Sequence, residues 1–254
     1  MLTTLRIIKK TLLTTISFLI HGAPNTSFIQ RTILVFNFFY ISFHIDCPHF
    51  NFEILEIAKA ILNLPPSIDG VIVEAGTYKG GSAAKLSLIA QLTERKLIIF
   101  DSFQGLPANT DIYGTRDRLF YRYNKSNHEP KKKHVFLKGQ YRGTLKEVKH
   151  NIELYGAPQV CVYKKGWFER TMAIFNEPVA AIFLDVDLSS STKTCLRYLY
   201  PLLQKGGVFF SHDGHLRRVL EIYKNSVFWE NIVSVKKPIV DGIGKRRLLK
   251  IIKK

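Results

Sequence analysis

Apolar and polar positions change period along this chain, and each change marks an element. In residues 51–64, Phe52, Ile54, Leu55, Ile57, Ala58, Ile61 and Leu62 fall on neighbouring faces of a 3.6-residue period. That spacing predicts a helix, stopped by Pro65 and Pro66. Residues 71–74 form a short apolar strand that ends in an acid, Glu74. A glycine turn over residues 76–81 then opens an Ala/Leu-rich helix predicted over 82–93, with Ser82 placed to cap its start. A second apolar strand, 97–101, ends in Asp101. Further on, the pattern predicts a helix over 144–154, a strand over 160–163, a fully apolar strand over 180–185 and an amphipathic helix over 191–203. Gly206 and Gly207 interrupt the chain before a strand at 208–211 and a helix at 216–223. Residues 229–235 and roughly 239–249 read as a closing antiparallel pair. This alternation predicts an α/β fold: a Rossmann-like, doubly wound, mostly parallel seven-stranded sheet with an antiparallel closing strand.

Two stretches do not follow the alternation. Residues 102–145 hold Phe103, Tyr113, Phe120, Tyr121, Tyr123 and Tyr141 among many charges. A connection this long inside a domain is usually functional, and a lid insertion is expected at about 104–142. The first fifty residues carry two apolar runs. One, over 12–20, follows Arg6, Lys9 and Lys10; the other, over 33–43, holds five aromatics. Both fall short of the ~20 apolar residues that cross a bilayer. Either they form a helical extension that covers a face of the core or meets another subunit, or they lie on a membrane surface as a basic amphipathic anchor through residues 1–45. The expected organisation is an extension over 1–50, one domain over 51–250 and a basic tail over 251–254.

Composition narrows the partners. The chain has 254 residues, 46% of them apolar, enough for one α/β domain with additions. Lysine and arginine number 37 against 20 acids, a net charge of +17. Eight of the basic residues lie in 236–254 and seven in 131–149. Such an excess attracts nucleic acid, phosphorylated molecules or an acidic membrane surface, and otherwise serves as a solvated face. Cys47, Cys161 and Cys195 are far apart, which argues against a zinc site or a disulfide framework and for a reducing, cytoplasmic setting.

The acids at the strand ends carry the chemistry. Ligands in an open α/β sheet bind outside the carboxyl ends of the strands. Glu74, Asp101 and Asp185 all stand there, with Asp187, His212 and Asp213 just beyond. The glycine spacing is Gly76-x-x-x-Gly80-Gly81, not G-x-G-x-x-G. That favours a ligand without a pyrophosphate, such as S-adenosylmethionine. Glu74 and Asp101 suit a cofactor's amine and ribose; Asp185, Asp187, His212 and Asp213 suit a divalent metal. A hard cation there lowers the pKa of a bound hydroxyl. Asp185 and Asp187 could equally cap the helix that follows, and His212 could support a ligand rather than be one.

Five strings together resemble the class I S-adenosylmethionine-dependent methyltransferases, and more narrowly the macrocin O-methyltransferase (TylF-type) family. They are VEAGTYKGGSAA at 73–84, FDSFQGLP at 100–107, GTLKEVKHNIELYG at 143–156, KGWFERT at 165–171 and FLDVDLSSSTKTCLRYLYPLLQKGGVFFSHDG at 183–214. The resemblance covers about 50–250 and implies methyl transfer to a hydroxyl, typically on a sugar of a glycosylated natural product, with magnesium. It implies a cofactor site at Glu74, Gly76, Ser82, Asp101 and Ser102, which the turn residues Thr77, Tyr78 and Gly80 complete, with Trp167 and Phe168 near the adenine. It implies metal ligands at Asp185 and Asp213, with His212 beside them, and a base at Asp187, for which His215 is the alternative. Two departures stand out: His212-Asp213 replaces an Asp-Asp pair, and Ser189-Ser190 replaces Tyr-Glu. Histidine softens the site, so the metal is expected to be magnesium or manganese, weakly held. A homo-oligomer is expected, as is common in the family. Two other functions compete with this one: nucleic-acid methylation, prompted by the charge, and a membrane-associated member that has lost its metal site.

Overall fold

The computed structural model describes residues 2–109, 111–113 and 134–254. Every residue of β1 (Val71–Ala75) is buried because both faces of the sheet are covered. Side chains alternate between two cores. Ile72, Leu97, Ile99, Phe183 and Phe210 belong to one, and Val73, Ile98, Phe100, Ile182 and Phe209 to the other. The first core is closed by α1 (Leu2–His21), α2 (Phe28–His44), α3 (Asn51–Leu62), α4 (Gly81–Leu92) and α5 (Leu145–Tyr155). The second is closed by α6 (Phe168–Thr171), α7 (Ser189–Leu199) and α8 (Arg217–Lys224).

The remaining sheet strands are β2 (Leu97–Asp101), β5 (Cys161–Lys165), β6 (Val179–Leu184), β7 (Leu203–Ser211) and β8 (Leu249–Ile252); β3 (Ile112–Tyr113) and β4 (His134–Val135) form a separate antiparallel pair. The sheet order is β5-β2-β1-β6-β7-β8, with β8 alone antiparallel. The chain therefore winds outward from β1 through β2 to β5, then restarts on the other side at β6. Ala75 lies in register with Phe100 of β2 and Leu184 of β6, so the reversal falls at the end of β1. A ligand crevice is expected there.

The described residues give six strands in this sheet, not seven. The expected strand at 229–235 is a helical turn. Trp229 and Val233 are buried four residues apart, and the Trp229 indole donates to the Tyr223 carbonyl at 3.2 Å. Spacing of four is a helical face, and the run of large apolar residues disguised it. The last strand starts ten residues later than expected. Gly242 and Gly244 take positive φ and turn the chain after an isolated bridge from Asp241 to Lys250. β8 then runs on through Ile251, which is core, into the residues expected to be a tail. Leu203, expected in a helix, begins β7.

The N-terminal helices pack on the core. Phe18, Leu34, Phe38, Ile41 and Ile45 join the cluster beneath α3 and α4. Lys85 of α4 is fully buried without a carboxylate; its ammonium meets Ser42 Oγ at 2.6 Å, Asn51 Oδ1 at 3.1 Å and His49 Nε2 at 3.2 Å. Burial brings its pKa down to about 8. The outward faces of α1 and α2 leave Leu5, Ile8, Leu12, Ile29, Phe36 and Phe43 exposed. No helix among the described residues is long and apolar enough to cross a membrane.

Candidate active site

The turn after β1 is threaded between its neighbours. Gly76 N–H donates to the Phe100 carbonyl at 3.0 Å, while Asp185 N–H donates to the Ala75 carbonyl at 3.0 Å. Gly76 has φ +81°, and a Cβ there would stand 2.1 Å from the Asp185 carbonyl oxygen. Only glycine lets the turn pass so close to β6. Asp101 fastens the turn from the other side. Its Oδ2 accepts from Thr77 N–H at 2.8 Å, and its Oδ1 from Phe103 N–H at 2.6 Å. Burial raises its pKa, and these donors oppose the rise. Each oxygen keeps a further lone pair for a ligand. Gly166 N–H donates to the Asp101 carbonyl at 3.0 Å, which hangs Trp167 and Phe168 beside it.

Glu74 is fully buried beneath this turn. The hydroxyls of Ser82 and Thr77 stand near its carboxyl but outside full hydrogen-bond geometry, so both oxygens and Thr77 Oγ1 are unsatisfied. Burial pushes the Glu74 carboxyl up to about 8, with Asp101 and Asp185 adding to the rise. Ser82 does not cap α4; the cap position is Gly80, in the left-handed region, and Ser82 lies inside the first turn.

On the far side, one ligand atom from each of Asp185, Asp187 and Asp213 lies within 4.8 Å of the others. Asp213 Oδ2 accepts from Val186 N–H at 3.1 Å and Asp187 N–H at 2.9 Å, which bends the chain so that Asp187 takes φ +57°. A left-handed non-glycine residue costs on the order of 1–3 kcal/mol and persists where its surroundings impose it. Asp213 Oδ1 is buried without a partner. Burial and mutual repulsion raise Asp213 to about 6 and drive Asp187 well above the usual carboxylate range. Capping does not explain these acids. α7 starts from Leu188 without a side-chain cap, and Ser189 N–H and Oγ are instead taken by Asp111 from the long connection, at 2.6 and 2.8 Å. The Ser189 departure from the family pattern thus has a local partner.

His212 stands beside this cluster rather than in it. It is fully buried, with Nδ1 3.1 Å from Asp185 Oδ1 and Nε2 3.1 Å from Glu53 Oε2 on α3. Burial alone would lower its pKa, but the two carboxylates outweigh that and raise it to about 10. An imidazolium therefore bridges α3 and β6, and it holds the Asp185 carboxyl below its ordinary range against burial. With both nitrogens engaged, the ring offers no lone pair to a metal.

One cavity of about 1120 Å³ joins the two sides. That exceeds the usual range for a single drug-sized ligand, so there is room for two reactants. Its wall includes Gly76, Thr77, Tyr78, Ser82, Asp101, Ser102, Trp167 and Phe168, and also Asp185, Asp187 and His215. Glu74, Gly80, His212 and Asp213 stand behind the wall. The expected lid contributes Leu106, Phe136 and Tyr141; residues 110 and 114–133 of it lie outside the described residues. Sequence reasoning missed Glu53, Arg247 and the cations of α1. Glu53 is a buried acid amid the apolar periodicity of α3, and that was the available signal.

Residues 55–239 match the family model for macrocin-O-methyltransferase (TylF). The 8-demethyl-8-(2,3-dimethoxy-alpha-L-rhamnosyl)-tetracenomycin-C 4'-O-methyltransferase of Streptomyces olivaceus is 29% identical over 157 residues, 59% of this chain and 55% of that protein. The demethyldecarbamoylnovobiocin O-methyltransferase of Streptomyces niveus is 28% identical over 154 residues, 58% of this chain and 53% of that protein. The chain thus spans about half the length of the curated relatives it matches. Among solved structures, the O-methyltransferase NovP superposes with a TM-score of 0.62 at 20% identity, covering 80% of this chain and 81% of NovP. The calicheamicin methyltransferase CalS11 superposes at 0.57 and 15% identity, covering 92% and 94%. These likenesses show the shared Rossmann-like fold. With the family model spanning well over half of its residues, the chain belongs to the macrocin O-methyltransferase (TylF) family.

Proposed function

We propose that this chain transfers a methyl group from S-adenosylmethionine to a hydroxyl of a sugar or glycosylated small molecule, assisted by a divalent cation. The observation that carries this reading is the single cavity whose wall joins the Gly76–Asp101 side to the Asp185–Asp187 side. The curated relatives are named for methylating a rhamnosyl-tetracenomycin and a novobiocin precursor, which supports a glycosylated acceptor.

The residues fit both groups. The glycine turn is a cradle that a Cβ at Gly76 would fill, and Thr77 has an unsatisfied hydroxyl on the wall. Three carboxylates gathered within 4.8 Å, one with an orphaned oxygen, are the hard donors that magnesium or manganese takes. When bound, the cofactor supplies an electrophilic methyl sulfonium, and the cation polarises the acceptor oxygen. The chain does the rest by positioning. Asp101 and the turn hold the ribose end, and Trp167 and Phe168 flank the adenine. Asp185, Asp187 and Asp213 hold the cation, and the His212 imidazolium keeps Asp185 ionised and aimed. His215, on the same wall, receives the hydroxyl proton, since Asp187 is committed to the cation.

The test is labelled methyl transfer to a panel of glycosides with Mg²⁺ or Mn²⁺. Asp101→Ala should abolish cofactor binding, and Asp185→Ala should abolish turnover while cofactor binding survives. Normal turnover in both variants would refute the reading. Three unpaired cysteines support a reducing, cytoplasmic setting. The exposed apolar faces of α1 and α2 support association with a second copy of the chain; sedimentation velocity tests that, and co-sedimentation with anionic liposomes tests the lipid-surface alternative.

A further inference from the structure

One end of the cavity is built by two segments far apart in sequence, and both bring cations. Arg6 and Lys10 come from α1, and Lys245, Arg246 and Arg247 come from the turn before β8. The acids at that end are already engaged. Glu56 pairs with Arg246 at 2.9 Å, and Arg246 also meets Asp241. Glu53 holds His212 and accepts from Phe50 N–H at 2.9 Å. Arg6, Lys10, Lys245 and Arg247 have no carboxylate oxygen within 4.0 Å among the described residues.

Two of these four are held at a cost. Lys10 is exposed, but its ammonium stands 4.0 Å above the Phe52 ring, and partial desolvation there lowers its pKa. Arg247 has a buried Nε without an acceptor, and its Nη2 lies 3.4 Å from Nδ1 of the His212 imidazolium, a like charge. A guanidinium with unused donors facing a cavity is the group that grips oxyanions in a two-pronged fashion. In the same wall Phe50 and Phe52 stack with centroids 5.4 Å apart and planes 15° from parallel, a platform for the body of a ring.

We infer that the acceptor carries an oxyanion, a phosphate or a carboxylate, which Arg6, Lys10 and Arg247 bind while the Phe50–Phe52 platform takes the attached sugar. This deepens the methyltransferase reading and rests on it for the identity of the second reactant. It assigns the cation-lined part of the wall a selectivity that the acid cluster alone cannot provide, because carboxylates by themselves would repel such a group.

The experiment is calorimetric titration of the full chain with inorganic pyrophosphate and, separately, with glucuronate, each with and without S-adenosylhomocysteine. The pyrophosphate arm reports a phosphate-bearing acceptor and the glucuronate arm a carboxylate-bearing one. Binding of either anion, weakened at least tenfold by Lys10→Gln and by Arg247→Gln and weakened further by added salt, supports the subsite. Arg6→Gln lies on the exposed rim of α1 and should weaken it by a smaller factor without disturbing the fold. Failure of the chain to bind either anion, or equal binding by wild type, Lys10→Gln and Arg6→Gln, overturns it. Loss of S-adenosylhomocysteine binding in the wild-type chain would reject methyl transfer, while Lys10-dependent anion binding in the same sample would still support the subsite.

Discussion

Replacing Glu53 with alanine should damage the molecule well beyond the helix that carries it. Glu53 is 3% exposed, and its Oε2 meets both His212 Nε2 and Phe50 N–H. The variant strands a buried imidazolium with one carboxylate instead of two. Removing one member of a buried ion pair costs about 3–5 kcal/mol. In a chain of this size each kcal/mol moves Tm by roughly 2–4 °C, so a loss of roughly 6–20 °C is expected. The pH dependence separates this cause from simple loss of packing. His212 has a folded pKa raised to about 10 from 6.5. Its contribution is fully present below 6.5 and is lost as pH rises through about 10. Glu53 has a folded pKa lowered from 4.5, so its contribution is present above 4.5 and is lost as pH falls through that lower value. The gap between wild type and variant should be widest between about pH 4.5 and 6.5 and narrow on both sides, falling progressively towards pH 10. Differential scanning calorimetry from pH 4 to 10 measures it, with Glu53→Gln as the isosteric control. A gap below about 1 kcal/mol, or one of equal size at every pH, would refute the ion-pair account.

Gly76→Ala should cost about 2–5 kcal/mol, from its positive φ and the overlap with the Asp185 carbonyl; urea unfolding checks the stability, and cofactor binding should fall with it. Asp111→Ala should release Ser189 at the head of α7 and raise KM more than it lowers kcat, read from steady-state kinetics on an accepted glycoside. Asp213→Asn should weaken Mn²⁺ binding at least tenfold in calorimetry, and an unchanged affinity would exclude the three-acid site. Because burial and repulsion hold Asp213 at about 6, Mn²⁺ affinity in the wild-type chain should rise with pH through that value as the proton leaves.

The strands and their terminal acids were legible because central parallel strands are apolar at every position and the acids that end them break that run. Thus 97–101 and 180–185 appear almost as expected, as β2 and β6. The errors lie where local pattern is ambiguous. Trp229 and Val233 pack with helical spacing, and the π-type turn they form has no separate sequence signature. The glycines at 242 and 244 delay β8 by taking positive φ, which composition alone does not reveal. Asp101, Asp185 and Asp187 all line one cavity. The role of His212 was not legible, because its second partner, Glu53, lies 159 residues away and only the folded chain brings them together. Arg6 and Lys10 were equally hidden, since the apolar runs around them carry no sign of which helix face meets the cavity.

The buried ammonium of Lys85 has a consequence for protein engineering. Its neutral hosts, Ser42, His49 and Asn51, straddle the junction between the first helices and the sheet domain. A shortened chain beginning at Asn51 would retain every strand and every strand-end acid, yet it would leave this amine facing solvent and uncover the apolar back of α4. The extension and the fold it covers should therefore melt as one unit. Chimeras that graft this sheet onto a relative's front end would need to transplant these hosts with it.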